Sequence, residues 1–218
     1  MKPNKLNVPL ITAIVSLLIS VNAFAQDLLV DRNGDGVIRV TAFGDSITYG
    51  VGDGTSPGAF VEVAPFTDGN IGYPPRVQAL GGIEIFNQGD PGESLAVGGI
   101  LRFPAVLQST SPDVVVIFEG SNDVLQDTAP EFGRNLQKAI NVANALGITP
   151  VVSTLPPECC DRGGRTPLVR QFNQRIRAVV AENELSLIDL ERAWDSTCSG
   201  PECQLYNVPE GLHPNSLG

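Results

Sequence analysis

Five residues of this sequence have types and placements that could do chemistry together: Ser46, His213, Glu210, Gly92 and Asn122. A serine hydroxyl becomes a useful nucleophile only when a neighbouring base takes its proton. Histidine is the side chain whose ordinary pKa suits that task near neutrality. His213 is the single histidine in 218 residues, so a serine nucleophile with a histidine base leaves only this one. It stands in EGLHPN, among turn formers. Glu210, three residues earlier, is near enough in the same turn to steady the imidazole through Nδ1. The rival reading is a solvated Glu210 and a Ser–His dyad. Acyl transfer also needs donors for the oxyanion. Three are on offer: the Ser46 N–H at a helix start, the Gly92 N–H in a tight turn, and the Asn122 amide just past a strand. Singly, Gly92 reads as a turn glycine and Asn122 as a residue bracing its own loop. With Ser46 and His213 in the same chain, they read as an oxyanion hole.

These residues need a scaffold that brings them to one edge. Val37 to Gly50, VIRVTAFGDSITYG, is an apolar run ending in a Gly-Asp-Ser turn; it predicts a buried strand, with Gly44 at the turn and Ser46 at the mouth of a helix. Ile83 to Asn87 predicts a short strand. Asp113 to Glu119, DVVVIFE, predicts the strongest one. Ile148 to Leu155 and Leu187 to Leu190 complete the set. Helices are expected between them: Pro74 to Leu80, a stretch to about Leu107 broken or restarted near Pro104, and an amphipathic stripe of Phe132, Leu136, Ile140, Ala143 and Leu146. Thr128 and Glu131 form a capping box before that stripe, and Gly147 ends it. A long helix starts at Thr166-Pro167. Alternating strands and helices predict an α/β fold, with a parallel sheet covered on both faces and sites at the carboxyl ends of strands. Ser46, Gly92, Asn122 and the Cys159–Cys160 loop all follow strand ends. Val51 to Gly72, Gly-rich and aperiodic, is expected to be a long loop whose Phe60 and Phe66 could line an acyl pocket.

Met1 to Ala25 reads as a secretory signal peptide: Lys2 and Lys5, an apolar stretch from Val8 to Val21, then Ala23-Phe24-Ala25. The apolar run falls short of the roughly 20 residues a span needs, so no integral membrane segment is expected after cleavage. Residues 26–36 form an Asp/Asn/Gly-rich turn, and 37–218 form one catalytic domain. A net charge of −10 argues against nucleic acid as a partner. Export favours disulfides among Cys159, Cys160, Cys198 and Cys203; the favoured pairing joins each of the adjacent pair to one of Cys198 and Cys203. A local Cys198–Cys203 bridge with two free thiols is the rival. Asp31, Asn33 and Asp35 in DRNGDGVI match the first half of a calcium loop, but Ala42 stands where the bidentate glutamate should be, so a plain turn is the simpler reading.

With these blocks quoted, the chain resembles the SGNH hydrolases, the GDSL-type esterase and lipase family. GDSITYG corresponds to the nucleophile block. NQGDPGES resembles the second block, with Gly92, and GSND the third, with Gly120 and Asn122. EGLHPN resembles the fourth, where the family has Asp-x-x-His and this chain has Glu210 and His213. The blocks come in family order from Val37 to Gly218. The resemblance implies a three-layer, flavodoxin-like parallel sheet of about five strands and no metal or organic cofactor. It further implies a secreted or periplasmic serine esterase acting on an acetylated carbohydrate or another acyl ester. A lipase, lysophospholipase or arylesterase is the alternative within the family, and a non-catalytic binding module that keeps the fold is the alternative outside it. The family normally continues into a terminal helix that packs on the sheet, so a chain ending at Gly218 is expected to be truncated and to leave core uncovered. Activity is expected to fall below pH roughly 6.5, the ordinary histidine value.

Overall fold

The computed structural model describes residues 30–32, 34–52, 72–81, 83–198, 203–215 and 217–218. The expected signal peptide, Asn33, and most of the 51–72 loop with Phe60 and Phe66 lie outside them.

Five parallel strands form the sheet: β1 (Arg39–Gly44), β2 (Glu84–Gly89), β3 (Val114–Phe118), β4 (Thr149–Ser153) and β5 (Ser186–Ile188), in the order β2-β1-β3-β4-β5. The order reverses at β1, the switch point where such sheets open a crevice. Gly44 of β1 sits in register with Gly89 of β2 and Phe118 of β3, so the loops after these three strands emerge side by side. The helices are α1 (Ser46–Tyr49), α2 (Tyr73–Gly81), α3 (Ile100–Thr110), α4 (Ala129–Ala145), α5 (Thr166–Glu182) and α6 (Leu190–Thr197).

Alternation along β1 assigns its faces. Phe43 joins Val115, Ile117 and Val152 in the larger core, against Phe103 and Leu107 of α3, Phe132, Leu136 and Ile140 of α4, and Phe172 and Ile176 of α5. Phe43 and Phe103 meet edge-to-face at 4.8 Å. Thr41 points the same way and is fully buried because its hydroxyl donates to Thr110 Oγ1 at 2.7 Å. Val40 and Ala42 face the other side, with Ile85, Val114 and Val151. Tyr73 packs on that second face, and between α2 and α6 an apolar groove of about 620 Å³ remains, bordered by Val77, Leu190, Trp194 and Gly218.

Three local expectations differ from the structure. The helix before β3 does not break at Pro104, which lies inside α3; the irregularity is upstream, a π-type turn over Leu95–Gly99. α6 is a helix that the strand-and-helix pattern of the sequence did not mark. It is short, and its start is set by Asp189, whose carboxylate accepts from Arg192 N–H at 3.2 Å. The bridge present is Cys198–Cys203, with Cys159 and Cys160 as free thiols. The favoured cross-pairing is therefore not the one adopted: Cys198 ends α6 with the Cys203 Cα 5.1 Å away, within ordinary disulfide range. All four cysteines still share one cluster with Trp194 and Tyr206.

Candidate active site

Ser46 is placed by β1. The strand ends at Gly44, where an added Cβ would lie 2.1 Å from Thr48 Oγ1 and 2.5 Å from Phe118 O. Close packing of α1 onto β3, rather than an unusual backbone angle, is what requires glycine there. Asp45 caps α1 by accepting from Ile47 N–H at 2.9 Å, and Ser46 opens the helix.

His213 arrives from the far end of the chain. Its Nε2 lies 2.8 Å from Ser46 Oγ, and its Nδ1 lies 2.9 Å from Glu210 Oε1. A carboxylate can only accept, so Nδ1 carries the proton and Nε2 accepts the serine O–H. Glu210 is held from three directions, its Oε2 accepting from His213 N–H at 2.9 Å and from Leu212 N–H at 3.2 Å. Burial alone would raise its carboxyl. The bonds from the His213 ring and backbone outweigh that and hold it at about 2, well below the usual carboxylate range. Arg162 lies 3.4 Å from Oε1.

The turn carrying Glu210 and His213 is braced by residues that sequence reasoning did not single out. Asn207 donates from its backbone N–H (3.0 Å) and from Nδ2 (3.1 Å) to His213 O, and its own carbonyl accepts from Gly211 N–H at 2.8 Å. Cys159 N–H donates to Gly211 O at 3.0 Å. Gly211 has φ +78°, and a Cβ there would lie 2.1 Å from Cys159 O, so the β4–α5 loop presses directly on the catalytic turn.

Contacts link two of the three expected donors, Asn122 and the turn of Gly92. Asn122 Nδ2 donates to Glu93 O at 2.7 Å, tying it to the turn that carries Gly92, and approaches Asp45 Oδ2 at 3.5 Å. The second contact is too long to hold its hydrogen firmly, which leaves that hydrogen for a substrate oxygen. Among the described residues, the N–H groups of Ser46 and Gly92 meet no acceptor, and Gly92 has open space above its Cα. Asp123 joins the two turns: its carboxylate accepts from Leu95 N–H at 2.9 Å and Ala96 N–H at 3.1 Å. Its place directly after Asn122 in GSND is the signal that could have identified it.

Asp45 is 1% exposed. Burial pushes its carboxyl up to about 6, despite the Ile47 N–H and the nearby imidazole. In the 31–36 turn, Asp31 accepts from Gly34 N–H and Gly36 N–H, each at 2.7 Å. Asp35 accepts from Val37 N–H at 3.0 Å and pairs with Arg39. These carboxylates brace their own turn.

Comparisons with known proteins identify the family of the chain. Residues 42–218 match the model of the GDSL-like Lipase/Acylhydrolase family. Esterase TesA of Pseudomonas aeruginosa is 30% identical over 175 residues, covering 79% of this chain and 74% of that protein. A lipase/acylhydrolase from Enterococcus faecalis superposes with a TM-score of 0.62 at 25% identity, over 82% of this chain and 88% of that one. The acetyl xylan esterase AlAXEase gives 0.64 at 23% identity, over 82% and 92%, which is a likeness of fold. The five-stranded sheet is thus that of the SGNH hydrolases, and this chain belongs to the GDSL-like lipase/acylhydrolase family of ester-hydrolysing enzymes.

Proposed function

We propose that this protein is an exported serine esterase that cleaves short-chain carboxylic esters through an acyl-enzyme, with acetyl groups on a polysaccharide as its substrate class. The observation that carries the mechanism is the continuous chain Ser46 Oγ–His213–Glu210, with contacts of 2.8 and 2.9 Å. Ser46 Oγ attacks the carbonyl carbon while His213 Nε2 takes its proton. The tetrahedral oxyanion accepts from Ser46 N–H, Gly92 N–H and Asn122 Nδ2. The imidazolium, steadied by Glu210, returns the proton to the leaving alkoxide. Water, deprotonated by the same nitrogen, then releases the acid. The residues of this site complete the cycle without an organic cofactor.

Export rests on the signal-like residues 1–25 and is supported by the Cys198–Cys203 bridge. The acetyl preference draws on the fold shared with an acetyl xylan esterase. A longer-chain acylhydrolase is the second reading, favoured by the similarity to the Enterococcus lipase/acylhydrolase. One panel separates them: nitrophenyl esters from two to sixteen carbons and acetylated xylan, assayed on wild type and Ser46→Ala. Release of acetate from xylan with no turnover of long chains supports the first reading. Rising kcat/KM with chain length supports the second. Equal activity in both proteins overturns the mechanism.

A further inference from the structure

The residue after Gly92 is tied to the protein interior more firmly than a rim loop requires. Glu93 is 9% exposed. Its carboxylate accepts from Arg102 Nε at 3.0 Å and from a second guanidinium nitrogen, the paired geometry that gives arginine–carboxylate contacts their direction. The same guanidinium donates to Gln88 O through two nitrogens, each at 3.2 Å. It also lies over the Phe43 ring at 4.2 Å, a favourable cation–π position. Arg102 therefore joins the end of β2, the strand leading to Ser46 and the turn bearing Gly92.

The Glu93 carboxyl also neighbours that of Glu119, the residue after β3. Glu119 is 2% exposed, and neither of its oxygens receives a hydrogen bond from a described residue. Burial, with the nearby charges of Asp45, Glu93 and Asp123, pushes its carboxyl well above the usual range. A neutral Glu119 has one O–H to donate, and the Glu93 carboxylate is the acceptor beside it. Two facing carboxyl groups with one proton between them satisfy each other; two bare carboxylates would not.

We propose that Arg102, Glu93 and Glu119 are positioning residues for the oxyanion hole. The guanidinium and the Glu119 O–H together hold the Glu93 side chain. The Glu93 main chain then holds the Gly92 N–H beside the Asn122 amide, which donates to Glu93 O at 2.7 Å. Oxyanion donors act through preorganisation, so a loosened turn loses transition-state binding while substrate binding is spared. The proposal rests on the serine-esterase reading of the site.

The test uses the full chain with nitrophenyl acetate as substrate and phenylboronic acid as a tetrahedral mimic on Ser46. Arg102→Met and Glu119→Leu are each expected to lower kcat tenfold or more with KM changed less than twofold, and to weaken boronate affinity by a similar factor. Glu119→Gln, whose amide N–H can replace the carboxyl O–H, is expected to recover kcat to within threefold of wild type. If Arg102→Met does not fold, Arg102→Lys serves instead, because it keeps the charge but cannot span both Glu93 oxygens and Gln88 O. Unchanged kcat and boronate affinity in a folded Arg102 variant overturn the proposal. So does a Glu119→Gln protein as impaired as Glu119→Leu. Turnover surviving in the Ser46→Ala control would instead overturn the esterase reading.

Discussion

Two carboxylates flank Ser46 in opposite electrostatic circumstances. Glu210 is about a third exposed and accepts three hydrogen bonds from its own turn, which hold its carboxyl at about 2. Asp45 is sealed against the strand end, and burial raises it to about 6. The first remains charged throughout any working pH range and can stabilise an imidazolium. The second titrates close to neutrality and caps a helix. Proximity to the nucleophile therefore does not assign the role; the supply of donors and water does.

The largest break in this contrast comes from Glu210→Gln. An amide there loses the charge that stabilises imidazolium, and kcat/KM for nitrophenyl acetate should fall roughly 10³-fold. A loss below tenfold would mean that His213 works without its acid. Gly211→Ala comes next: the added methyl meets Cys159 O and the backbone is left-handed, so the turn must shift. Tens-fold loss of kcat is expected, with a fall in stability of about 2 kcal/mol by thermal unfolding. Asp45→Asn should cost no more than tenfold in activity, since an amide oxygen can still accept from Ile47 N–H.

The same Asp45→Asn variant sharpens the contrast through pH. A carboxyl raised from its ordinary 3.8 to about 6 contributes stability that is complete below 3.8 and is lost as pH rises through 6. Asp45→Asn should therefore be more stable than wild type at pH 8, by an amount on the order of 2–3 kcal/mol, with the gain gone by pH 4; denaturant midpoints across that range measure it. Glu210 has the opposite sign: its contribution is present above its ordinary 4.5 and is lost only as pH falls through about 2. Arg162→Ala is the smallest change expected. The partners are both about a third exposed at 3.4 Å, and kcat/KM should move by threefold or less.

Much of this could be read from residue order alone. The Val-rich run of β3 is continuous because both of its faces are buried, and α4 and α5 carry a helical period because one face of each is. The Ser46–His213–Glu210 contact was legible because a single histidine leaves no choice. What stayed hidden depends on contacts between distant segments. Asn207 acts by bonding the backbone of the catalytic turn, and Cys159 by pressing on Gly211; neither role leaves a spacing to detect. The cysteine pairing was misjudged for a related reason: the sequence does not show that α6 ends with Cys198 beside Cys203. The π-type turn before α3 is likewise hidden, since a change of hydrogen-bond register has no composition of its own.

The Ser46–His213 contact joins residues 167 positions apart. Closing so long a loop costs more entropy than forming the local contacts of the helices, so the contact is expected late in folding. A refolding molecule could therefore hold a complete sheet and a properly capped Ser46 and still be inert. Regain of esterase activity should trail regain of circular dichroism, which makes turnover a clock for the last closure of the chain.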